Sequence, residues 1–531
     1  MKVENSWYVL VLLFLCTCSQ PEHEIELGSL NLSAFTTGYG EIVVNRSVTG
    51  KPLSIGGISY EKGIGVHANS EAHILLDGKG GCFSAFVGID DNAGRDSVST
   101  VAFYIFAGDL PVFSSGTMRK GDAPKQINIS LKGVTDLYLI AESTSDGNEA
   151  DYANWAEAKF VVSTPPVIIH DKEEERYILT PEPSDSQRIN GAKVVGASPG
   201  KPFLFTIATT GERPIRFVAK NLPDMKRLTT YIHDLGMKAG LYSSPGKTTC
   251  GGYAGSLGYE AVDIQTFADW GFDFLKYDWC SYEQEVQSPV TPEDFRKPYL
   301  LAGKLCKQAD RDMVLNMCQY GMGEVWKWGK EVGGQSWRTT DDIGDTRNLI
   351  ANMFRIGFFQ EQLREYAGPG GWNDPDYLLF GDIYDWDNKV LKQSPYSASE
   401  HYTCMTLWCM MSAPLIFSGD ITTLDDFTRN ILCNAEVIAI NQDKLGRQGY
   451  SIYNKDLIEI WKKELADGST ALAVFNKRPF RSIVKVDWEQ LGYKADCSVR
   501  DTWRQVDIGV TKDIESFGIP CHGCMLFRIS K

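Results

Sequence analysis

Asp273-Phe274-Leu275-Lys276-Tyr277-Asp278-Trp279-Cys280 is an apolar run that gives way to a lysine, an acid and a cysteine where a buried strand would end. In a barrel of alternating strands and helices the reactive side chains sit at the carboxyl ends of strands, so an acid beside a cation there is a candidate for chemistry. A second set, Trp337-Arg338-Thr339-Thr340-Asp341-Asp342, offers a partner carboxylate. Paired acids of this kind suit glycoside hydrolysis, in which one attacks the sugar and the other protonates the leaving oxygen. Either motif alone is more often structural, because strand ends and turns commonly carry such residues.

The elements that must position these acids alternate. Met225 to Leu235 reads as an amphipathic helix leading into a strand at Lys238-Ala239-Gly240-Leu241-Tyr242-Ser243. Ile264 to Trp270 is a helix before the Asp273 strand, and Pro298 to Ala309 precedes Asp312-Met313-Val314-Leu315-Asn316-Met317. Further strand ends are expected at Ser336-Trp337-Arg338, near Gly371-Trp372 and at Leu415-Ile416-Phe417. Repeated helix-strand units imply a parallel sheet joined by crossovers. Six strands can be counted, whereas a complete barrel has eight.

Other stretches are all-β. From 27 to 163, short alternating runs such as Val101-Ala102-Phe103-Tyr104-Ile105-Phe106 are separated by Gly, Asn and Asp, the texture of a β-sandwich. Residues 164–186, rich in proline and charge, read as a linker. Beyond Gly446 short strands return, giving a C-terminal antiparallel β domain over 447–531. A chain of 531 residues is long enough for such a multidomain layout.

Composition narrows the partners. The net charge is -15 and no Lys/Arg-rich block is present, which argues against nucleic acid. The 13 Trp, 23 Tyr and 25 Phe include rings that could face sugars, although core packing is their default use. The single CxxC, Cys521 to Cys524, lacks a second pair to complete a zinc site, and no cofactor is expected. Thirteen cysteines leave at least one without an intrachain partner. Cys404 and Cys409 read as buried apolar cysteines.

Lys2 followed by the apolar run Trp7 to Leu15 reads as a secretory segment, too short to span a bilayer. Cys16-Thr17-Cys18-Ser19 and the polar residues after it resemble a bacterial lipoprotein signal over 1–18, with Cys18 lipidated. Thr17 is an imperfect residue before that cysteine, so ordinary cleavage stays open. The expected location is exported: cell-envelope lipoprotein, periplasmic or secreted.

Three family resemblances follow from motifs. Lys62-Gly63-Ile64-Gly65-Val66-His67-Ala68, Val87-Gly88-Ile89-Asp90-Asp91 and Asp151-Tyr152-Ala153-Asn154-Trp155-Ala156-Glu157-Ala158 resemble the NPCBM type of carbohydrate-binding module, which implies a jelly-roll-like sandwich. There His67, Asp90, Asp91 and Trp155 could line a sugar or calcium site; the commoner use is that the acids cap turns and Trp155 packs inside. Arg188-Ile189-Asn190-Gly191 with Pro199 to Ala208 resembles the start of a bacterial Ig-like module, truncated within 187–223.

The third resemblance carries the chemistry. Gly240-Leu241-Tyr242-Ser243, Lys276-Tyr277-Asp278-Trp279-Cys280, Ser336 to Ile343, Gly370-Gly371-Trp372-Asn373-Asp374-Pro375-Asp376 and Ile438-Ala439-Ile440-Asn441-Gln442-Asp443 occur in the order of glycoside hydrolase family 27, the melibiase or α-galactosidase family, over 224–446. The resemblance implies a retaining hydrolase acting on α-galactoside oligo- or polysaccharides. Asp278 would be the nucleophile and Asp342 the acid/base, roughly 5 Å apart, with Asp341 a competitor for the second role. Lys276, two residues before Asp278 and so on the same strand face, would hold the nucleophile ionised and bind a hydroxyl. Arg338 would bind sugar and bias Asp342, Asp376 would accept sugar hydrogen bonds, and Tyr242 would line the pocket. Cys250 and Cys280 match a family disulfide beside the nucleophile, suited to an exported protein.

Two departures temper this. The family opens its barrel with a Gly-Trp-x-Ser-Trp-Asn strand and a strand ending Asp-Asp-x-Trp, whose acids bind the sugar, and neither motif is present. The expected fold is therefore a (β/α)8-type barrel lacking its first two strands, with an open seam beside the Lys238 strand. An in-frame loss near Leu222-Pro223-Asp224 would explain this, and the competing reading is a catalytically impaired carbohydrate-binding protein. Second, Cys318-Gln319-Tyr320-Gly321 stands where many relatives have Cys-Glu-Trp, which bears on the sugar. Galactose is expected, with N-acetylgalactosamine, β-L-arabinopyranose and isomaltose-type glucosides as family alternatives.

Overall fold

The computed structural model describes residues 23–94, 99–144, 150–170, 176, 188–189, 194–197, 209–210, 225–344, 349–385, 389–493 and 496–531. The expected signal segment with Cys18, and the junction Leu222-Pro223-Asp224, lie outside the described residues. No helix among the described residues is long and apolar enough to cross a membrane.

The N-terminal sandwich consists of two antiparallel sheets. One runs in the order Lys125–Lys132, Lys79–Ile89, Tyr152–Val162, Gly63–His67, Val43–Val44, with His23–Glu26 also on Tyr152–Val162; the other runs Val167–Ile169, Ser70–Leu75, Asp136–Ser143, Thr100–Ala107, Leu110–Arg119. Period-2 alternation turns Val101, Phe103 and Ile105 inward to meet Trp155, Phe83 and Phe160 in one core. The sandwich extends beyond 163, where the linker was expected. Val167-Ile168-Ile169 follows Pro165-Pro166 and pairs with Leu75, Ile74 and His73, so this short β-branched run is an edge strand despite its proline- and charge-rich surroundings.

The central region holds a parallel sheet of six described strands: β1 (Val194–Ala197), β2 (Lys238–Ser243), β3 (Phe274–Asp278), β4 (Val314–Cys318), β5 (Ser336–Arg338) and β6 (Trp372–Asp374), in that spatial order. At Leu415-Ile416-Phe417, where a strand was expected, a single parallel bridge joins Leu378 to Phe417 beyond β6. The Lys238 strand is not an open seam, since β1 pairs with it from Val194↔Lys238 to Ala197↔Leu241. Thus part of the 187–223 segment, expected as an Ig-like module, joins the barrel sheet; the other described elements there are the antiparallel pair Arg188–Ile189 and Thr209–Thr210.

Helices α1 (Met225–Asp234), α2 (Glu260–Trp270) and α3 (Pro292–Gln308) cover the outer face of this sheet. The third helix begins earlier than Pro298. Thr291 caps it reciprocally with Asp294, Pro292 occupies the first turn where no N–H is needed, and Pro298 lies inside. Gly271, at φ 93°, ends α2 in the left-handed conformation and turns the chain into β3.

After α4 (Leu349–Phe359) comes α5 (Ala398–Met410), buried on every side. A helix buried all round belongs between layers, and α5 lies between the barrel and the C-terminal domain. That domain's main sheet runs Tyr450–Lys455, Ile458–Glu464, Thr470–Asn476, Cys524–Ser530, Ser498–Asp501, Val506–Val510, antiparallel throughout. Its strands are apolar on both faces: Ile458, Ile460, Leu472 and Val474 fill the domain's own core, while Trp461, Ala471, Ala473 and Phe475 pack with α5. Lys463 Nζ reaches the end of α5 and donates to the Cys409 carbonyl at 2.8 Å and to Ser412 Oγ at 2.7 Å.

The sandwich docks on this assembly through Phe106, Tyr138 and Ile140 against Leu457 and Phe480. Two charged clusters flank the contact. Lys477 lies 2.8 Å from Glu142 of the sandwich and 3.4 Å from Glu459. His522 lies between Glu71 of the sandwich at 3.1 Å and Glu400 of α5 at 2.9 Å.

Candidate active site

The parallel register places Tyr242 beside Lys276, Lys276 beside Asn316, Asp278 beside Cys318, and Arg338 beside Asp374. Residues two apart share a face. Leu241, Leu275, Tyr277, Leu315, Met317 and Trp337 therefore turn outward to the helices, and Tyr242, Lys276, Asp278, Asn316, Cys318, Ser336, Arg338 and Asp374 form a polar inner face at the carboxyl ends. Hydrogen bonds knit it together: Asn316 Nδ2 donates to Ser336 Oγ at 2.7 Å and to Asp374 Oδ2 at 2.9 Å. Asp374 Oδ1 accepts from the Asp376 amide at 2.9 Å.

Asp278 is buried at the end of β3. Its Oδ2 accepts from the Tyr242 hydroxyl at 3.2 Å and its Oδ1 from the Tyr320 hydroxyl at 2.8 Å. Cys250 and Cys280 are joined in a disulfide next to it, with the Tyr242 hydroxyl 3.1 Å from Cys280 Sγ. Asp278 and these two cysteines are close enough to suggest a cation site, but the sulfurs are bonded to each other and offer no thiolate.

Lys276 donates to the Tyr377 hydroxyl and stands over the Tyr377 ring at 4.5 Å and the Tyr242 ring at 6.0 Å. Burial works against its charge, yet the anion-forming groups around it, Cys318, Tyr377 and Asp376, hold its pKa well above the usual lysine range. The ammonium is therefore a permanent cation two residues from Asp278.

Arg338, 1% exposed, organises the other half of the site. One guanidinium nitrogen lies 3.0 Å from Asp376 Oδ1. The other lies 3.0 Å from Asp342 Oδ1 and donates to the Asp341 carbonyl at 2.7 Å and the Thr340 carbonyl at 3.2 Å. A rigid planar fork suits this bridging task. Asp376 Oδ2 accepts from the Ile343 amide at 2.9 Å. Burial pushes the Asp376 carboxyl up to about 6, against the pull of Arg338 and Lys276.

The two candidate acids on the loop after β5 differ in their partners. Their side chains are equally exposed, at 66%. Asp341 is clamped by Arg355, whose nitrogens lie 2.6 and 3.1 Å from its two oxygens, whereas Asp342 is tied through one oxygen to Arg338. Among the described residues, Asp342 thus keeps its second oxygen without a hydrogen-bond partner and open to a reacting group, which Asp341 does not.

Other motif residues have structural duties. Trp337 Nε1 donates to Asn373 Oδ1 at 2.9 Å outside the site. Asn441 donates to the Trp408 and Ala413 carbonyls at 3.2 and 3.0 Å, tying the end of α5. In the sandwich, Asp90 accepts from the Asn92 amide at 2.8 Å and Asn154 Nδ2 at 2.6 Å, Asp91 from the Gly57 amide at 2.9 Å, and Trp155 is fully buried against Phe103. His67 is buried too. These four serve turns and core, as their commoner use would have it. Cys404 and Cys409 are buried in the core around α5. Tyr320, quoted from the sequence as a departure from the family, and Tyr377 were not singled out as site residues. Both come from loops after strand ends, where periodicity gives no signal.

Comparison with known proteins places these regions in order. Residues 23–161 match the NPCBM/NEW2 domain, 213–443 the α-galactosidase A family, and 455–529 the α-galactosidase C-terminal β-sandwich domain. An α-galactosidase A of Cellvibrio japonicus is 34% identical over 331 residues, covering 59% of this chain and 77% of that protein. Among solved structures, α-galactosidase I of Mortierella vinacea is 28% identical with a TM-score of 0.50, covering 57% of this chain and 79% of its own. A Bacteroides fragilis protein provisionally assigned as an α-galactosidase/melibiase is 24% identical with a TM-score of 0.52 and covers 84% of this chain and 94% of its own, a likeness of fold that reaches well beyond the barrel.

Proposed function

This chain belongs to the α-galactosidase (melibiase) family of glycoside hydrolases, and we propose that it hydrolyses terminal α-linked galactose from oligo- or polysaccharides by double displacement, with Asp278 as nucleophile and Asp342 as acid/base. The observation that carries the assignment of roles is the division of labour on the polar face. One carboxylate is buried and held by two phenols at a strand end, and the other is exposed and tethered by a buried arginine.

In the first step an Asp278 oxygen attacks C1 of the sugar, the C1–O bond to the leaving group breaks, and Asp342 gives its proton to the departing oxygen. In the second step Asp342, now ionised, takes a proton from water as that water attacks C1 and releases Asp278. Lys276 keeps positive charge beside the nucleophile. Arg338 and Asp376 form a fixed polar wall for sugar hydroxyls, and Tyr242 lines the pocket beside them.

On this reading the barrel is shortened at its start, and β1 occupies the edge of β2 where the missing second strand would pair. The loss removes the sugar-binding acid pair of the second strand and leaves Asp278 and Asp342 in place, so weakened substrate binding is expected before lost chemistry. Ordered assembly of the catalytic face weighs against the impaired, purely sugar-binding alternative. The sandwich serves as an attached carbohydrate-binding module, using surface other than His67, Asp90, Asp91 and Trp155. The chain is exported, either anchored by lipid at Cys18 or cleaved and released; Cys18→Ala combined with palmitate labelling tells the two apart.

The test of function is release of aryl alcohol from an aryl α-galactoside by the purified chain, with the first product followed by NMR. Turnover with initial α-galactose, lost by a factor of about 10³ or more in Asp278→Asn, is expected. Initial β-galactose, or full activity in Asp278→Asn, would overturn the assignment.

A further inference from the structure

Asp278 accepts a phenolic hydrogen bond on each oxygen, and the two donors come from different strand ends. Tyr242 lies on β2, while Tyr320 lies in the loop after β4, two residues beyond Cys318, the register partner of Asp278. The loop is shaped to deliver that hydroxyl. Tyr320 has φ 60°, uncommon for a bulky residue. Gly321 follows at φ 81°, where a Cβ would fall 2.2 Å from the Thr339 carbonyl oxygen, so the turn needs glycine and is packed directly against β5's exit. Backbone held in such a region persists where its surroundings enforce it, and it gathers at functional sites.

We propose that Tyr320 is a positioning residue for the nucleophile: together with Tyr242 it fixes the plane of the Asp278 carboxylate. The proposal rests on the reading of Asp278 as nucleophile given above. A carboxylate with one donor can still turn about its last bond; a donor on each oxygen removes that freedom and presents the remaining lone pairs in one direction.

Tyr320 remains a donor throughout the working range, because burial, and then the negative charge of Asp278, push its own pKa above the tyrosine range. The hydroxyl is 3.8 and 3.9 Å from the sulfurs of Cys250 and Cys280, so its short bond is the one to Asp278. Tyr242, Tyr299 and Cys318 also feel the charge of Asp278, and deleting the Tyr320 oxygen leaves each of them in place.

The experiment isolates the attack step. The full chain and Tyr320→Phe are reacted with an activated fluorosugar of α-galactose that forms a slowly hydrolysed glycosyl-enzyme, and the rate constant of covalent labelling is read by intact mass across reagent concentration, with the labelled residue identified by peptide mapping. Tyr320→Phe is expected to label Asp278 about ten- to a hundredfold more slowly at saturating reagent, with the half-saturating concentration unchanged. Thermal unfolding is measured alongside, and Tyr320→Met serves as a second donor-free variant with the same expectation. Labelling of Asp278 at the wild-type saturating rate, or a loss confined to the half-saturating concentration, overturns the role of Tyr320 and leaves the nucleophile standing. Labelling of another residue removes Asp278 as nucleophile and the proposal with it.

Discussion

Arg338→Met offers the sharpest check on how this site is held together. The guanidinium is 1% exposed and stands 3.0 Å from Asp376, a carboxylate 2% exposed. Methionine fills similar space without charge, so the substitution strands a buried anion, which typically costs about 3–5 kcal/mol. The pH dependence distinguishes this cause from lost packing. The Asp376 carboxyl sits at about 6 in the folded chain, above its ordinary value of 3.8. Between these values the native state binds a proton that the unfolded state does not, so stability falls as pH rises through the window and levels off above it. Without Arg338 the folded value climbs further, and the fall continues past pH 6. At 1.4 kcal/mol per unit over about 1.5 units, the loss at about pH 7.5 should exceed the loss at about pH 5 by about 2 kcal/mol. Urea denaturation of the full chain followed by tryptophan fluorescence at the two pH values measures the difference. Equal losses, or a gap that closes as pH rises, would refute the argument that Asp376 depends on Arg338 for its charge.

Burial lowers the Lys463 pKa to about 8 from 10.5. Between these values the unfolded chain binds the extra proton, so wild-type stability should rise with pH across that window, and a melting-temperature series should show Lys463→Met without the rise. His522 is buried against its own charge, yet Cys521, Glu71 and Glu400 hold its pKa well above 6.5. Its contribution is therefore full below about pH 6.5 and lost as pH rises through the folded value; His522→Gln should lower the melting temperature at about pH 6 and matter less at alkaline pH, as scanning calorimetry would show. Reduction of Cys250–Cys280 reopens a loop of sequence separation 30, worth about 3–4 kcal/mol by chain entropy, so dithiothreitol should lower the melting temperature of wild type and leave a Cys250→Ala/Cys280→Ala variant unmoved.

Much of this was legible in the chain. Strands alternating around Asp278 and Arg338, helices between them and all-β flanks follow from periodicity, which depends on local geometry alone. Boundaries were less legible: Val167–Ile169 looked like linker because proline and charge surround it, and α3 starts at Pro292 because its cap, Thr291 with Asp294, is a local signal that the interior Pro298 overshadowed. The partner of the Lys238 strand could not be read at all. Parallel pairing between Val194–Ala197 and Lys238–Leu241 is a contact across a long separation, and neither segment's own pattern specifies it.

The sequence by itself determined the chemistry on offer: two acids, a lysine and an arginine at fixed offsets along strands, so that the two-residue period puts Lys276 and Asp278 on one face. Which acid is free to react, and what holds the other, was decided by the tertiary structure. Asp341 and Asp342 are adjacent in sequence and equally exposed, yet Arg355 from α4 clamps one and Arg338 from β5 tethers the other. Tyr320 reaches Asp278 from the loop after β4, 42 residues away. Such choices depend on where separate elements meet, and side-chain chemistry at one position cannot encode them until the sheet has brought those ends together.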